Sequence, residues 1–368
     1  MEPIPFLSLT PQYDRVREEL EKSFKKVIGG QHFVLGEEVA AFEKEFAIYS
    51  GVRHCITVAN GLDALYISLK VLGVGQGDEV IVPAFTCAPT WMAVSRTGAA
   101  IVAVEVDEKS FNMDVTKIGQ AVTSKTKAIL PVNLFGRPAA LFKMLAVAKE
   151  KNIFVVEDNA QGQGANVGGK KTGSFGFINA TSFYPTKNLG ALGDGGAITT
   201  DDNVLAEKAR QLRNYGSSIR FHHDAIGINS RLDELQAAFL RIKLTYLDEW
   251  NQQRRELALR LQKLLEGVGD LRLPRDEKGE YSVYHLFVVS TSRRDQLRKF
   301  LRLQNIETDI HYPIPPHLQK AYAHLGFKTG SFPITENICE TILSLPLWPG
   351  MTGQQVDYVG ECVKKFFR

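Results

Sequence analysis

Thr181-Ser182-Phe183-Tyr184-Pro185-Thr186-Lys187-Asn188-Leu189-Gly190, running on into Gly193-Asp194-Gly195-Gly196, decides how this 368-residue chain is read. Phe177 to Phe183 is a short apolar run of the buried-strand kind, and Pro185 stops it because proline cannot donate to a ladder. Gly196-Ala197-Ile198-Thr199-Thr200 is a second such run. Lys187 thus falls in a glycine-rich turn between two buried strands, where backbone can approach a bound group closely. A lysine placed there loses its proton readily and becomes a nucleophile or Schiff-base former. Taken alone, the stretch also fits the commoner case of a surface lysine in a hairpin loop.

Its surroundings favour the chemical reading. Ile153-Phe154-Val155-Val156 is a continuous apolar strand of the parallel-sheet kind and ends in Glu157-Asp158. A carboxylate at the carboxyl end of such a strand faces the crevice where open α/β sheets bind ligands. A lysine that carries an aldehyde, with an acidic partner, describes pyridoxal 5'-phosphate (PLP), whose pyridinium nitrogen needs an Asp to stay protonated. Ser182, five residues before Lys187, can offer its hydroxyl to the phosphate. Cys55-Ile56-Thr57-Val58-Ala59 is a strand, and Asn60-Gly61 turns it into a helix bearing Leu62, Leu65, Leu69 and Leu72. Such a turn leaves backbone N–H groups free to cradle a phosphate.

The rest of the first half alternates strands with helices. Strands over 79–82, 101–106, 128–132 and 153–156 are interleaved with helices over 89–96, 115–122 and 139–151, the pattern of parallel βαβ units in a doubly wound sheet. Two amphipathic helices precede them, the first closed by Gly29-Gly30. After residue 200 the pattern changes. Asp201 is expected to cap a helix to about Tyr215, a polar loop follows, and a long helical stretch begins at Leu232. Beyond it the spacing predicts a smaller α+β unit: strand 285–290, helix 294–303, strand 306–311 and a final helix 354–367. The division is placed at 245, giving a large domain over 1–245 and a small one over 246–368.

Composition narrows the class. A hydrophobic content of 44% with 23% charged residues is that of an ordinary soluble enzyme, and a net charge of +3 gives no reason to expect nucleic acid or a membrane surface as partner. The four cysteines (Cys55, Cys87, Cys339, Cys362) lack metal-ligand spacing and read as reduced residues of a cytoplasmic protein. Met1 to Pro5 has no signal-peptide character, and no apolar run is long enough to span a bilayer. Gly164 to Lys170 has the spacing of a nucleotide-binding loop, but Lys171 stands where Ser or Thr is required, and Gly173 and Gly176 forbid the following helix. Asn179-Ala180-Thr181 is a glycosylation sequon inside a buried strand. No metal site is expected.

Asn60-Gly61-Leu62-Asp63-Ala64-Leu65, Gly77-Asp78-Glu79-Val80-Ile81-Val82-Pro83, Glu157-Asp158-Asn159-Ala160-Gln161, Ser182 to Lys187 and Asn229-Ser230-Arg231-Leu232-Asp233-Glu234 together resemble the DegT/DnrJ/EryC1/StrS sugar aminotransferases, in the same order along nearly the whole chain. The resemblance implies the PLP-dependent aspartate-aminotransferase fold (fold type I). It also assigns roles, each with a plainer alternative. Lys187 is the Schiff-base lysine and proton carrier; dehydratase relatives carry histidine there. Asp158 pairs with the pyridinium nitrogen, or is a turn carboxylate. Gln161 binds the cofactor's phenolic oxygen, or is a loop amide. Gly61, Leu62 and Ser182 hold the phosphate, Leu62 through its backbone alone. Trp91 stacks on the pyridine ring, although its spacing by itself favours a core tryptophan. Asn229 reaches the phosphate of a neighbouring subunit, or is an N-cap. The residues' own chemistry, not the resemblance, makes Tyr184, His311, Tyr312 and His317 candidates for the substrate rim, the last three in a loop suited to hydroxyls or a pyrophosphate that also reads as a proline-braced turn. By the same reasoning Arg220, with Arg231 and His222-His223, is a candidate for the nucleotide phosphates or is solvated.

The implied reaction moves an amino group from L-glutamate to a nucleotide-linked keto sugar, in a cytoplasmic homodimer with active sites at the interface. Tyr184 to Gly196 together with Thr90-Trp91 most resemble the branch that aminates C3 of dTDP-3-keto-6-deoxyhexoses in deoxyamino-sugar biosynthesis, of the kind that feeds lipopolysaccharide O-antigen. C4 amination, sugar dehydration and a non-catalytic regulatory sensor are the alternatives.

Overall fold

A computed structural model describes residues 2–219 and 221–368. Seven strands form the central sheet: β1 (His54–Val58), β2 (Glu79–Pro83), β3 (Ala100–Val104), β4 (Thr126–Ile129), β5 (Phe154–Asp158), β6 (Ile178–Ser182) and β7 (Gly196–Thr200). Their order is β1-β7-β6-β5-β4-β2-β3. The ladder is parallel from β6 through β3, while β7 runs antiparallel to both neighbours. Both faces are buried, which is why the strands read as continuous apolar runs. One face packs on α3 (Gly61–Val71) and α4 (Ala88–Thr97) through Ile67, Leu69, Val80, Val82 and Ile198. The other packs on α5 (Val115–Ala121) and α6 (Leu141–Lys151) through Ile81, Ile129, Met144 and Val155.

The long helix α8 (Glu234–Leu265) links two cores. Leu240 and Leu247 pack with Phe42, Phe46 and Phe183 against the large sheet. Ala258, Leu261 and Leu265 pack instead with Phe287, Leu297, Leu343 and Val359 of the smaller unit. That unit contains the antiparallel pair β8 (Phe287–Ser290) and β9 (Ile342–Leu345), flanked by α9 (Arg294–Leu303) and α11 (Gly353–Phe367). The chain's start belongs to it as well: Ile4 is fully buried in this core and bridges to Ile306.

Three local expectations are corrected. Gly29 and Gly30 remain helical, and Gln31 takes the left-handed position (φ 52°) that ends α1 (Thr10–Gly30). Asp202, not Asp201, caps α7 (Asn203–Leu212), accepting from Val204 and Leu205 N–H groups, because Asp201 accepts from the Arg53 N–H. Residues 306–311 make single bridges, Ile306 to Ile4 and Asp309 to Ser344, rather than a strand, because the two positions pair with different partners, the chain's start and β9, and no continuous ladder forms. The sequon residue Asn179 is buried, its amide donating to Gly173 and Thr199 carbonyls. Among the described residues no helix is long and apolar enough to cross a membrane.

Candidate active site

The carboxyl ends of β5 and β6 meet the start of α3 around a cavity of about 510 Å³ whose walls include Gly61, Ser182, Lys187, Asp158 and His311. Alternation along β5 sends its two terminal carboxylates to different environments. Glu157 turns into the protein and accepts from the Gly173, Phe175 and Gly176 N–H groups and the Asn133 amide, pinning the loop before β6. Asp158 faces the cavity. Its Oδ2 accepts from the Thr90 hydroxyl at 2.9 Å and its Oδ1 from the Ala160 N–H at 3.1 Å. Burial pushes its pKa up, against those two donors and the charge of Lys187. A carboxylate so desolvated is stabilised by a cationic N–H brought against it.

Lys187 lines the same cavity. Burial draws its pKa below the ordinary lysine value, with Cys87 and Asp158 opposing. The turn holding it is fixed from outside. Lys187 N–H donates to the Tyr184 carbonyl, Ala191 N–H to Phe183, and the buried Lys243 ammonium of α8 to Gly190.

The phosphate cradle follows from backbone geometry. Asn60 is extended (φ −165°) and its side chain accepts from the Asp63 N–H at 2.8 Å, so the helix opens at Gly61. The Gly61 and Leu62 N–H groups are the first two of α3 and have no carbonyl one turn back. A Cβ on Gly61 would lie 2.7 Å from the Ser182 Cβ, so glycine is what lets the helix end and the strand end close around one anion. A buried acid, a depressed lysine and an anion cradle in one cavity fit PLP.

Gln161 is oriented for a role at that ring. Its Oε1 accepts from the Phe135 N–H at 2.6 Å, which leaves Nε2 as the donor on the cavity side, now 3.1 Å from the Tyr312 hydroxyl. Tyr312 also meets the Cys87 thiol, and burial raises its pKa. His311 is stacked on Phe6 at 5.5 Å, and its Nδ1 lies 2.9 Å from the Ser344 hydroxyl. Tyr184, half exposed, stands at the cavity mouth.

Other expected residues lie elsewhere. Trp91 is fully buried, its indole N–H donates to the Pro83 carbonyl at 2.9 Å, and its ring packs edge-on with Tyr322. It occupies the core face of α4, whereas Cys87, Pro89 and Thr90 reach the cavity wall. His317 is also buried away from the cavity, with Nε2 3.0 Å from Glu336 Oε1 and its ring edge-on to Phe332. Asn229 is exposed and does not line this cavity. Arg231 donates to Asn214 Oδ1, His222 and His223 are exposed, and Arg220 lies outside the described residues. Thr90, Cys87 and His285 were missed. Thr90 meets Asp158 across 68 positions of sequence, a pairing no spacing reveals. Among the described residues no group of His, Cys, Asp and Glu is arranged to hold a metal ion.

The chain is 47% identical over 361 residues to the erythromycin biosynthesis sensory transduction protein EryC1 of Saccharopolyspora erythraea, covering 98% of this chain and 99% of that one. It is 46% identical over 365 residues to the dTDP-3-amino-3,6-dideoxy-alpha-D-galactopyranose transaminase of Aneurinibacillus thermoaerophilus, with 99% of both chains covered. The crystal structure of S. venezuelae DesV superposes with a TM-score of 0.98 at 42% identity, over 100% of this chain and 99% of that one. With residues 14–364 matching the family as well, this chain belongs to the PLP-dependent DegT/DnrJ/EryC1/StrS aminotransferase family, whose members include sugar aminotransferases of fold type I.

Proposed function

We propose that the protein transfers the amino group of L-glutamate to C3 of a dTDP-3-keto-6-deoxyhexose. Lys187 and Asp158 sharing one cavity with the Gly61–Ser182 cradle carries the PLP chemistry, and the 46% identity to the dTDP-3-amino-3,6-dideoxy-alpha-D-galactopyranose transaminase supports C3 of a dTDP-linked sugar as the acceptor. When bound, PLP supplies the electron-accepting ring that lets an amino group pass from one carbon skeleton to another. Asp158 holds the ring nitrogen and Thr90 holds Asp158. Gln161 donates to the phenolic oxygen through Nε2. Gly61, Leu62 and Ser182 bind the phosphate. Lys187, with its lowered pKa, takes and returns the proton that shifts between carbons. Tyr184, His311 and Tyr312 form the rim against which the sugar is turned to present C3 rather than C4.

A homodimer completes the site. Ile219 and Ile226 stand 67% and 101% exposed, on or beside the ribbon formed by Ser217–Ile219 and His222–His223, next to the exposed Asn229. An apolar projection beside an amide suits insertion against a second copy, whose phosphate cradle Asn229 would reach. A cytoplasmic enzyme is the matching cellular reading.

The name of the relative from S. erythraea favours one second reading, a regulatory protein that binds a signal without turnover. Absorbance separates the two. Glutamate added to the PLP-loaded protein should bleach the long-wavelength band of the lysine-bound cofactor and release 2-oxoglutarate. A band that glutamate leaves unchanged would favour the sensor.

A further inference from the structure

His285 lies where the cofactor cavity opens into a side cavity of about 290 Å³, lining both, on the wall supplied by the smaller unit. It is buried, and its Nδ1 is 3.2 Å from Asn188 Oδ1, the residue after Lys187. Both amides behind it are oriented by backbone carbonyls, which can only accept. Asn251 Nδ2 donates to the Gln163 carbonyl at 2.9 Å, so Asn251 Oδ1 is left as acceptor. Asn188 Nδ2 donates to that oxygen at 2.7 Å and to the Val283 carbonyl at 3.1 Å. Asn188 Oδ1 must therefore accept, and the proton between it and the imidazole belongs to His285 Nδ1. The relay from α8 leaves one state for a neutral ring: Nδ1 protonated, Nε2 carrying a lone pair.

The ring's surroundings keep it neutral. Burial lowers its pKa well below the ordinary histidine value, and the charges of Lys187, Arg254 and His311 add to that. The Arg254 guanidinium donates to the Tyr284 and His285 carbonyls on the same segment. An unprotonated nitrogen held this way accepts from a hydroxyl and disfavours a carboxylate, which has no proton to give.

We propose that His285 Nε2 accepts a hydrogen bond from a hydroxyl of the keto-sugar substrate, so that the Gln163–Asn251–Asn188–His285 relay selects a hydroxyl-bearing acceptor at the junction of the two cavities. The hydroxyl's identity rests on the aminotransferase reading above; the tautomer does not. This is a substrate-contacting role, distinct from proton transfer by Lys187.

Nitrogen-15 NMR of the PLP-loaded protein with labelled histidine tests the tautomer without turnover. The His285 Nε2 resonance is expected in the unprotonated-nitrogen region at neutral pH and should stay there as the pH falls through the ordinary histidine value. A protonated Nε2, or a titrating one, overturns the proposal. His285→Asn keeps a donor toward Asn188 and removes the acceptor, whereas His285→Gln returns a carbonyl near the Nε2 position. With the keto sugar that the wild-type enzyme aminates, His285→Asn should raise the sugar KM about tenfold, more than it affects the glutamate half-reaction, and His285→Gln should recover part of the loss. Equal damage to both half-reactions, or no recovery by Gln, overturns it. If the wild-type enzyme aminates no sugar, the functional reading fails and the NMR measurement still decides the tautomer.

Discussion

At the scale of single residues, Asp158 and Lys187 divide the work by environment. Both titrate away from their ordinary values for the same reason, burial, which raises the acid and lowers the base. Lys187→Ala should lower turnover by about a thousandfold or more and remove the absorbance band of the lysine-bound cofactor, because no nearby amine substitutes for a tethered one. Substantial transamination by that variant would contradict the role. Asp158→Ala should keep some cofactor but lower kcat by about a hundredfold or more, with the sugar KM moving far less. These two residues were legible in sequence because each sits where an apolar strand ends, and strand ends in open α/β sheets point at ligands. His317 was not. Trp91 lies in the core, as its spacing by itself suggests and against the role the resemblance gives it, and for His317 only packing shows that the ring turns toward Glu336.

At the scale of elements, the site is a set of closely apposed termini. The start of α3 and the end of β6 approach until a Cβ at Gly61 would meet the Ser182 side chain at 2.7 Å. Gly61→Ala should therefore weaken PLP binding about tenfold or more while leaving the fold intact, as a cofactor titration followed by absorbance would show. Unchanged affinity would mean that the phosphate sits elsewhere. Helix α8 contributes a second device. Among the described residues no carboxylate pairs with the buried Lys243, which lies over the Tyr13 ring and against the Gly190 carbonyl, and its pKa falls to about 8. The unfolded chain holds that proton up to the ordinary value of 10.5, so between about pH 8 and 10.5 the unfolded state binds more protons and stability rises with pH. The effect is on the order of 3 kcal/mol across that window. In Lys243→Met this rise should disappear from paired unfolding curves at the two ends of the window, and a rise of equal size in both proteins would refute the assignment. The elements themselves were readable from apolar periodicity. What failed were edges: Gln31 for Gly30, closed by a local bond to the Ile28 carbonyl, and Asp202 for Asp201 and bridges for a strand at 306–311, both settled by contacts far away in sequence.

At the scale of the whole molecule, α8 joins a sheet that binds the cofactor to a smaller unit that supplies His285, His311 and Tyr312 to the same cavity. The proposed dimer adds Asn229 from a second copy. Mixing Lys187→Ala with Asn229→Ala protein tests that arrangement. If each is nearly inactive alone, subunit exchange should restore about a quarter of wild-type activity, since half the dimers would be mixed and each would carry one intact site. No recovery after demonstrated exchange, or a fully active monomer in sedimentation, would contradict a shared site. Of the proposed sugar rim, the turn near residue 184 and the loop near residue 311 were named from sequence, whereas His285, which lines both cavities, was not, because no local motif marks it.

Regiochemistry tests the account most directly. Purified PLP-loaded enzyme is incubated with L-glutamate and, separately, with dTDP-3-keto-6-deoxyhexose and dTDP-4-keto-6-deoxyhexose, and the nitrogen in each product is located by NMR. The account predicts an amine on C3 from the first sugar and little or no product from the second; amination only at C4, or at neither carbon, would contradict it.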